Sequence, residues 1–270
     1  MIPITGLYVP GNRPDRFDKA VGTGADLVIL DLEDAVPAAD KSGALSAVVG
    51  WLGRRKATDG PVLQVRVNPN AAHEIAALRA TGVAVEIRLP KVESSAEVAA
   101  VNPPGERPLA VTALIESARG VEHIGEIADA PGLTRVAMGE ADLQSELGST
   151  SEAVLEYARM RVLFGARAAG LPAPMLSVYP RIRDLEGLAA DTERGRAAGF
   201  VGRVAVHPSQ LDVIRQAFAP SEAEVSWARQ VVDALHGGGV ATLPSGEMVD
   251  RAMLPRATAI LDRAGSLPPR

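Results

Sequence analysis

Leu27-Val28-Ile29-Leu30 runs straight into Asp31-Leu32-Glu33-Asp34, so a short apolar stretch ends in three carboxylates. Bounded by Gly24 and Pro37, it reads as a buried parallel strand. Unpaired charge is expensive in such a place, so the tip of the strand must meet water, a cation or a ligand. Similar endings recur along the chain, in Arg66-Val67-Asn68, Arg88-Leu89-Pro90-Lys91, Glu116, Glu140-Ala141-Asp142 and His207. Glu116 and Asp142 are hard oxygen ligands with nothing soft nearby, the donor set of a magnesium ion that keeps several waters. The competing reading is an ion pair of these acids with Arg119 or Arg66. Arg66 sits on the same face as Gln64 and Asn68. It needs an anion, supplied by Glu33 or by a substrate carboxylate or developing oxyanion. Lys91 suits either a Schiff base or a pairing at a strand end. His207, before Pro208, suits a loop-orienting hydrogen bond. Arg13 and Arg16, around Pro14-Asp15, suit a solvated helix turn or a phosphate contact.

The elements that must position these residues follow a simple rhythm. Eight apolar runs of strand character are expected, at 6–10, 26–34, 62–68, 83–92, 109–116, 135–142, 175–179 and 203–207. Helical segments lie between most of them, for example Ser151–Ala169 with Val154, Ala158 and Val162 in one stripe. Strands alternating with helices argue for parallel βαβ units. Eight of them in 270 residues predict an α/β fold of the (β/α)8 TIM-barrel type, with a doubly wound open sheet as the alternative. In a barrel, all the polar strand ends lie on one rim. Ser221 and Glu224 form a capping-box pattern that opens a late helix. Gly237-Gly238-Gly239 then break the chain before a last helical pattern near Arg251–Ala264. The expected division is a catalytic barrel at 1–236 and a hinge with a helical lid at 237–270.

Composition narrows the function. Hydrophobic residues make up 47% of the chain, enough for a sizeable core, and the net charge of −5 carries no basic footprint for nucleic acid. With no cysteine, disulfides, thiolate nucleophiles and Cys-ligated zinc are excluded. No secretory pattern and no apolar run of about 20 residues is present, so a soluble cytoplasmic protein without a membrane role is expected.

Several segments then match one family in order. They are Val9-Pro10-Gly11-Asn12-Arg13-Pro14-Asp15-Arg16-Phe17, Ile29–Asp34, Val65–Asn68, Leu89-Pro90-Lys91-Val92-Glu93-Ser94 and Leu114-Ile115-Glu116-Ser117-Ala118-Arg119-Gly120. Further on come Ala141-Asp142-Leu143, Asp184-Leu185-Glu186-Gly187, His207-Pro208-Ser209-Gln210 and Glu247-Met248-Val249-Asp250. The chain resembles the citrate lyase β-subunit-like CoA-ester lyases of the HpcH/HpaI aldolase/citrate lyase superfamily. The resemblance implies a magnesium-dependent lyase that cleaves or forms a carbon–carbon bond between an acyl-CoA and a 2-keto acid. Glu116 and Asp142 would hold Mg2+, and Arg66, with Glu116, would meet the keto-acid portion. The segment of Pro10, Gly11 and Arg13, with Lys91, would face the CoA. Glu33 and Asp34 would relay the hydroxyl proton. Asp250, on a lid reaching a neighbouring subunit of a homotrimer, would protonate the enolate carbon. Two departures bear on substrate choice: relatives usually carry Gly-Ala-Glu-Asp where this chain has Gly139-Glu140-Ala141-Asp142, and many carry an aspartate where it has Ser177. The leading expectation is a stand-alone lyase for a 3-hydroxyacyl-CoA such as citramalyl-CoA or malyl-CoA. The alternatives are a β subunit of a multi-protein citrate lyase using an acyl-carrier-protein thioester, a CoA-independent hydroxy-keto-acid aldolase, and an idle binding protein of the same fold.

Overall fold

The computed structural model describes residues 2–55 and 60–266. Seven strands form one parallel sheet: β1 (Thr5–Pro10), β2 (Leu27–Asp31), β3 (Val62–Arg66), β4 (Glu86–Leu89), β5 (Val111–Ile115), β6 (Leu133–Met138) and β7 (Arg203–Ala205), in the order β6-β5-β4-β3-β2-β1-β7. The helices between β1 and β6 are α1 (Phe17–Val21), α2 (Lys41–Arg54), α3 (Ala72–Ala80), α4 (Ser95–Val101), α5 (Ala118–Glu122) and α6 (Ile124–Ala128). They are followed by α7 (Glu140–Leu147), α8 (Glu152–Ala168), α9 (Leu185–Ala198) and α10 (Leu211–Phe218). β2 and β5 are buried along their whole length. That is why they read as near-continuous apolar runs rather than as alternating ones.

Register sets the site. Pro10 pairs with Asp31, Asp31 with Arg66, and Arg66 with Arg88, while Ile115 pairs with Met138. Neighbouring strands thus finish at closely similar heights, and the residues just after them share one edge. At the first of these ends Gly11 donates its N–H to the Asp31 carbonyl at 2.7 Å. A β-carbon there would lie 2.7 Å from that same oxygen, so only glycine fits the approach.

The expected eight strands are corrected to seven and a single bridge. Residues 175–179 join the sheet only where Leu176 pairs with Arg203. Leu176 donates to Gly202 and accepts from Val204, at 2.8 and 3.1 Å. On its other side Ser177 Oγ donates to the Met138 carbonyl at 2.6 Å. Pro172, Pro174 and Pro180 frame this segment. Each removes a ladder donor, which keeps the pairing short. A second correction concerns the sixth segment, whose strand stops at Met138 and turns at Gly139 into α7. Asp142 therefore lies in the first turn of a helix, not on a strand. A third concerns α8, whose buried stripe is Leu155, Ala158 and Val162, while Val154 is on the outer face.

The chain divides into two compact units, Met1–Ala217 and Phe218–Arg270. The division falls before Gly237 because α11 (Glu222–Ala234) belongs with α12 (Leu254–Ser266). The capping box of Ser221 and Glu224 is present at the start of α11. Between the two helices lies an antiparallel hairpin, β8 (Val240–Thr242) with β9 (Met248–Asp250), which the sequence pattern did not suggest. Ala228, Val231, Leu235, Leu243, Val249 and Ala257 give this unit a small core of its own.

Candidate active site

Arg66 organises the end of β2. Its Nε and Nη2 donate to Asp31 Oδ1 and Oδ2 at 2.7 and 2.6 Å, a two-pronged pairing across adjacent strands. Its Nη1 donates to Asp34 Oδ2 at 3.1 Å. The same nitrogen is 2.9 Å from Glu33 Oε2, but that buried oxygen accepts no aligned hydrogen bond. Burial works against the guanidinium, yet the Asp31 hydrogen bonds together with the nearby charges, those of Asp31 and Glu33 among them, outweigh it and hold Arg66 more firmly charged than usual. Asp31 also accepts from the N–H groups of Glu33 and Ala35, at 2.9 and 3.2 Å. Its acceptors are therefore filled by structure. Burial pushes the Glu33 carboxyl up to about 7, with Arg66 opposing the rise and Asp34 and Asp31 adding to it. The ring of Tyr8 lies under both the Arg66 and Arg88 guanidiniums, at 5.1 and 5.5 Å.

Two further residues fix this turn: Lys41, which carries no sign of it in the sequence, and Asn68, at the polar end that follows β3. Lys41 Nζ donates to the carbonyls of Leu32 and Glu33 at 2.7 and 2.6 Å. Asn68 Nδ2 reaches the Leu32 carbonyl at 2.9 Å and is itself held by Glu74 Oε1 at 2.6 Å. Glu74 is buried, and the sequence clue was an acid in the first turn of α3, facing back to the end of β3.

The second half of the site follows β5. Ser117 caps α5 by accepting from Gly120 N–H at 3.1 Å, which fixes the chain just after Glu116. Glu116 is 4% exposed. Its Oε1 accepts from the backbone N–H of Lys91 at 2.8 Å. Lys91 takes φ +52° to present that N–H, a strained setting for a residue with a side chain. Burial, then the charges of Asp142 and Glu33, pushes the Glu116 carboxyl up to about 7. Asp142 Oδ1 lies 3.9 Å from Lys91 Nζ. The rim thus gathers Glu33, Asp34, Arg66, Lys91, Glu116 and Asp142 into one electrostatic field. Among the described residues no group of three or more carboxylates or histidines surrounds a single point. A hard cation here would take Glu116 and Asp142 and fill its other positions with water or substrate oxygens. The mutual repulsion that lifts Glu116 is the repulsion such a cation relieves.

Other expected residues make contacts of a different kind. Arg13 is paired on the surface with Asp15, both bonds at 2.9 Å. Arg119 lies 3.7 Å from Glu93, not against Glu116. His207 Nδ1 is 2.8 Å from Ser209 Oγ and accepts from the Ser209 N–H, the loop-orienting role expected of it. Glu140 is turned to α8, where Arg159 donates to it at 2.9 and 2.6 Å. Asp250, in the second unit, accepts from the Ala252 N–H at 2.9 Å.

A parallel sheet whose C-terminal edge carries an arginine clamp and carboxyls lifted by burial has its polar cluster where α/β enzymes place their active sites. Residues 4–208 match the HpcH/HpaI aldolase/citrate lyase family, and the chain belongs to that family. It is an enzyme of the lyase class. The citrate lyase subunit beta-like protein of Mycobacterium tuberculosis (strain H37Rv) is 36% identical, over 96% of this chain and 94% of that one. A (3S)-malyl-CoA thioesterase of Cereibacter sphaeroides (strain KD131) is 35% identical, over 97% and 94%. Among solved structures, protein CitE from Mycobacterium tuberculosis, in complex with magnesium, acetoacetate and coenzyme A, superposes with a TM-score of 0.81 at 34% identity, covering 98% of each chain.

Proposed function

We propose that this protein is a magnesium-dependent CoA-ester lyase that splits a 3-hydroxyacyl-CoA, such as citramalyl-CoA or malyl-CoA, into an acyl-CoA and a 2-keto acid, or joins them. The observation that carries the reading is the Arg66 clamp beside the Glu116–Asp142 pair on one rim. The magnesium, acetoacetate and coenzyme A bound by the similar CitE protein support it. We read the seven strands and the Leu176 bridge as a (β/α)8 barrel whose seventh strand is reduced to one pair. The hinge at 237–239 and the helical segment after it act in this reading as a lid that reaches a neighbouring copy in a cytoplasmic homotrimer.

Glu116 and Asp142 would hold the magnesium ion, which supplies Lewis-acid polarisation of the substrate oxygens when bound. Two donors of Arg66 are spent on Asp31 and one on Asp34, so the remaining Nη1 and Nη2 hydrogens are the ones left to meet the keto-acid oxygen where charge develops. Glu33 takes the substrate hydroxyl proton, a task suited to a carboxyl lifted to about 7. Asp34, which is largely solvent-facing, passes that proton to water. Lys91 and the Pro10–Arg13 segment face the CoA. Asp250 delivers a proton to the enolate carbon, and in the synthetic direction removes one.

The test is a panel of CoA esters and magnesium, read by mass spectrometry. Acetyl-CoA with glyoxylate from malyl-CoA, or with pyruvate from citramalyl-CoA, supports the reading. Full turnover after exhaustive chelation, or unchanged turnover of Asp250→Ala, removes the metal or the lid acid from it. A second reading, thioester hydrolysis, is favoured by the 35% identity to the (3S)-malyl-CoA thioesterase. It predicts free malate and CoA from malyl-CoA instead.

A further inference from the structure

Below the rim, the interior of the sheet holds a cavity of about 20 Å³ that the reaction does not use. Its polar lining is Gln64, Arg88, Thr112 and Arg135. Arg88 is 3% exposed, and its Nε is buried without an acceptor; Arg135 Nε is also buried and unanswered. The remaining polar lining side chains are already engaged with one another and with Glu86. Gln64 Oε1 accepts from Arg88 Nη1 at 3.2 Å, and Gln64 Nε2 donates to Glu86 and Thr112 at 2.9 and 2.8 Å. Thr112 in turn donates to Glu86 Oε1 at 2.8 Å. Glu86 is the carboxylate nearest Arg135, 3.7 Å from its Nε, and it already accepts from Gln64, Thr112 and Thr134. Two arginines therefore face one carboxylate, and the unmet groups are donors.

A water molecule fits such a place poorly, because it brings two donors of its own and needs acceptors for them. A monatomic anion needs only donors and carries the charge that offsets the second arginine. A cavity of that size has room for one small ion. We propose that this cavity is a binding site for a single halide-class anion, chloride in practice, held by Arg88 and Arg135 and serving stability rather than catalysis. The site is separate from the proposed active site and stands whether or not the lyase reading holds.

Crystals of the full chain soaked in sodium bromide test it directly. The expected result is an anomalous bromide peak within hydrogen-bonding reach of Arg88 Nε. In solution, replacing gluconate by chloride at constant ionic strength should raise Tm, by about 3 °C at tenfold excess over the dissociation constant. Arg135→Gln should lose that dependence, with Arg88→Met as a second variant. A cavity that holds only water in bromide, or a Tm identical in chloride and gluconate, overturns the proposal. The bromide experiment uses the unaltered protein, so it decides even if a variant fails to fold.

Discussion

A β-carbon built on Gly139 would fall 2.3 Å from Oε2 of Glu116, so the turn from β6 into α7 and the buried acid after β5 occupy each other's space. Glycine at 139 is thus a condition for the Glu116 rotamer. Gly139→Ala should displace the carboxylate and reduce kcat/KM by about 100-fold, as expected for a misplacement near 1 Å. The half-saturating magnesium concentration should rise in parallel. Magnesium titrations of initial rate check both.

Arg66→Lys is a sharper test of the clamp. Lysine keeps the charge but cannot span both oxygens of Asp31. The expected loss in kcat/KM is about 10²–10³-fold, the range found for a displaced oxyanion donor. Arg66→Ala should also cost roughly 3–5 kcal/mol of stability, because it strands Asp31 and Glu33 as buried charges. Denaturant unfolding of the two variants separates the chemical role from the structural one.

Glu33 gives a pH signature in the metal-free protein. Its carboxyl is lifted from 4.5 to about 7, so the folded state holds its proton where the unfolded chain has lost it. Stability from this group is complete below about 4.5, falls as pH rises to about 7, and is level above. Glu33→Gln cannot ionise and loses that slope. Its Tm should gain on the wild type across the window, by the equivalent of up to about 3 kcal/mol at pH 8. Glu116 contributes a slope of the same sign, so the variant's own curve stays partly inclined. A pH series of melting curves without magnesium reads it.

Lys91 sets activity against stability. A glycine there relieves the φ of +52° while keeping the N–H that holds Glu116. Lys91→Gly should leave stability unchanged or raise it by up to about 1 kcal/mol, since relief of the left-handed strain offsets the added chain entropy. In the proposed reaction KM for the CoA ester should rise, because the ammonium group is gone. Steady-state kinetics beside thermal melts would show the two changes in opposite directions.

Much of this arrangement is legible in the amino-acid order. Each apolar run closing on a charged residue marks a strand end, and register then forces those ends together. Arg66, Glu33 and Asp34 could be grouped for that reason, and the capping box at Ser221 and Glu224 is present as written. Asp31 was less readable. The run of acids gave no way to tell which would take the two-pronged bond, and that depends on the pairing of β2 with β3. Lys41 and Glu74 act on backbone carbonyls or amides across a loop, contacts that leave no periodic trace. Asp142 sits in a helix that the apolar run before it does not announce. Residues 175–179 look like a strand by their apolar pattern, but Pro172, Pro174 and Pro180 reduce them to the Leu176 bridge.

The strand order has a consequence for how the chain reaches this state. From β1 to β6 every neighbour in the sheet is also the next strand in sequence, and only β1 with β7 joins distant parts of the chain. Loop-closure entropy falls mainly on that one step. The strands that bear Asp31, Arg66 and Glu116 can therefore zip together in order of synthesis. Docking of β7 and the Leu176 bridge comes late, so refolding should show early protection in β2–β5 and slow protection at Arg203–Ala205.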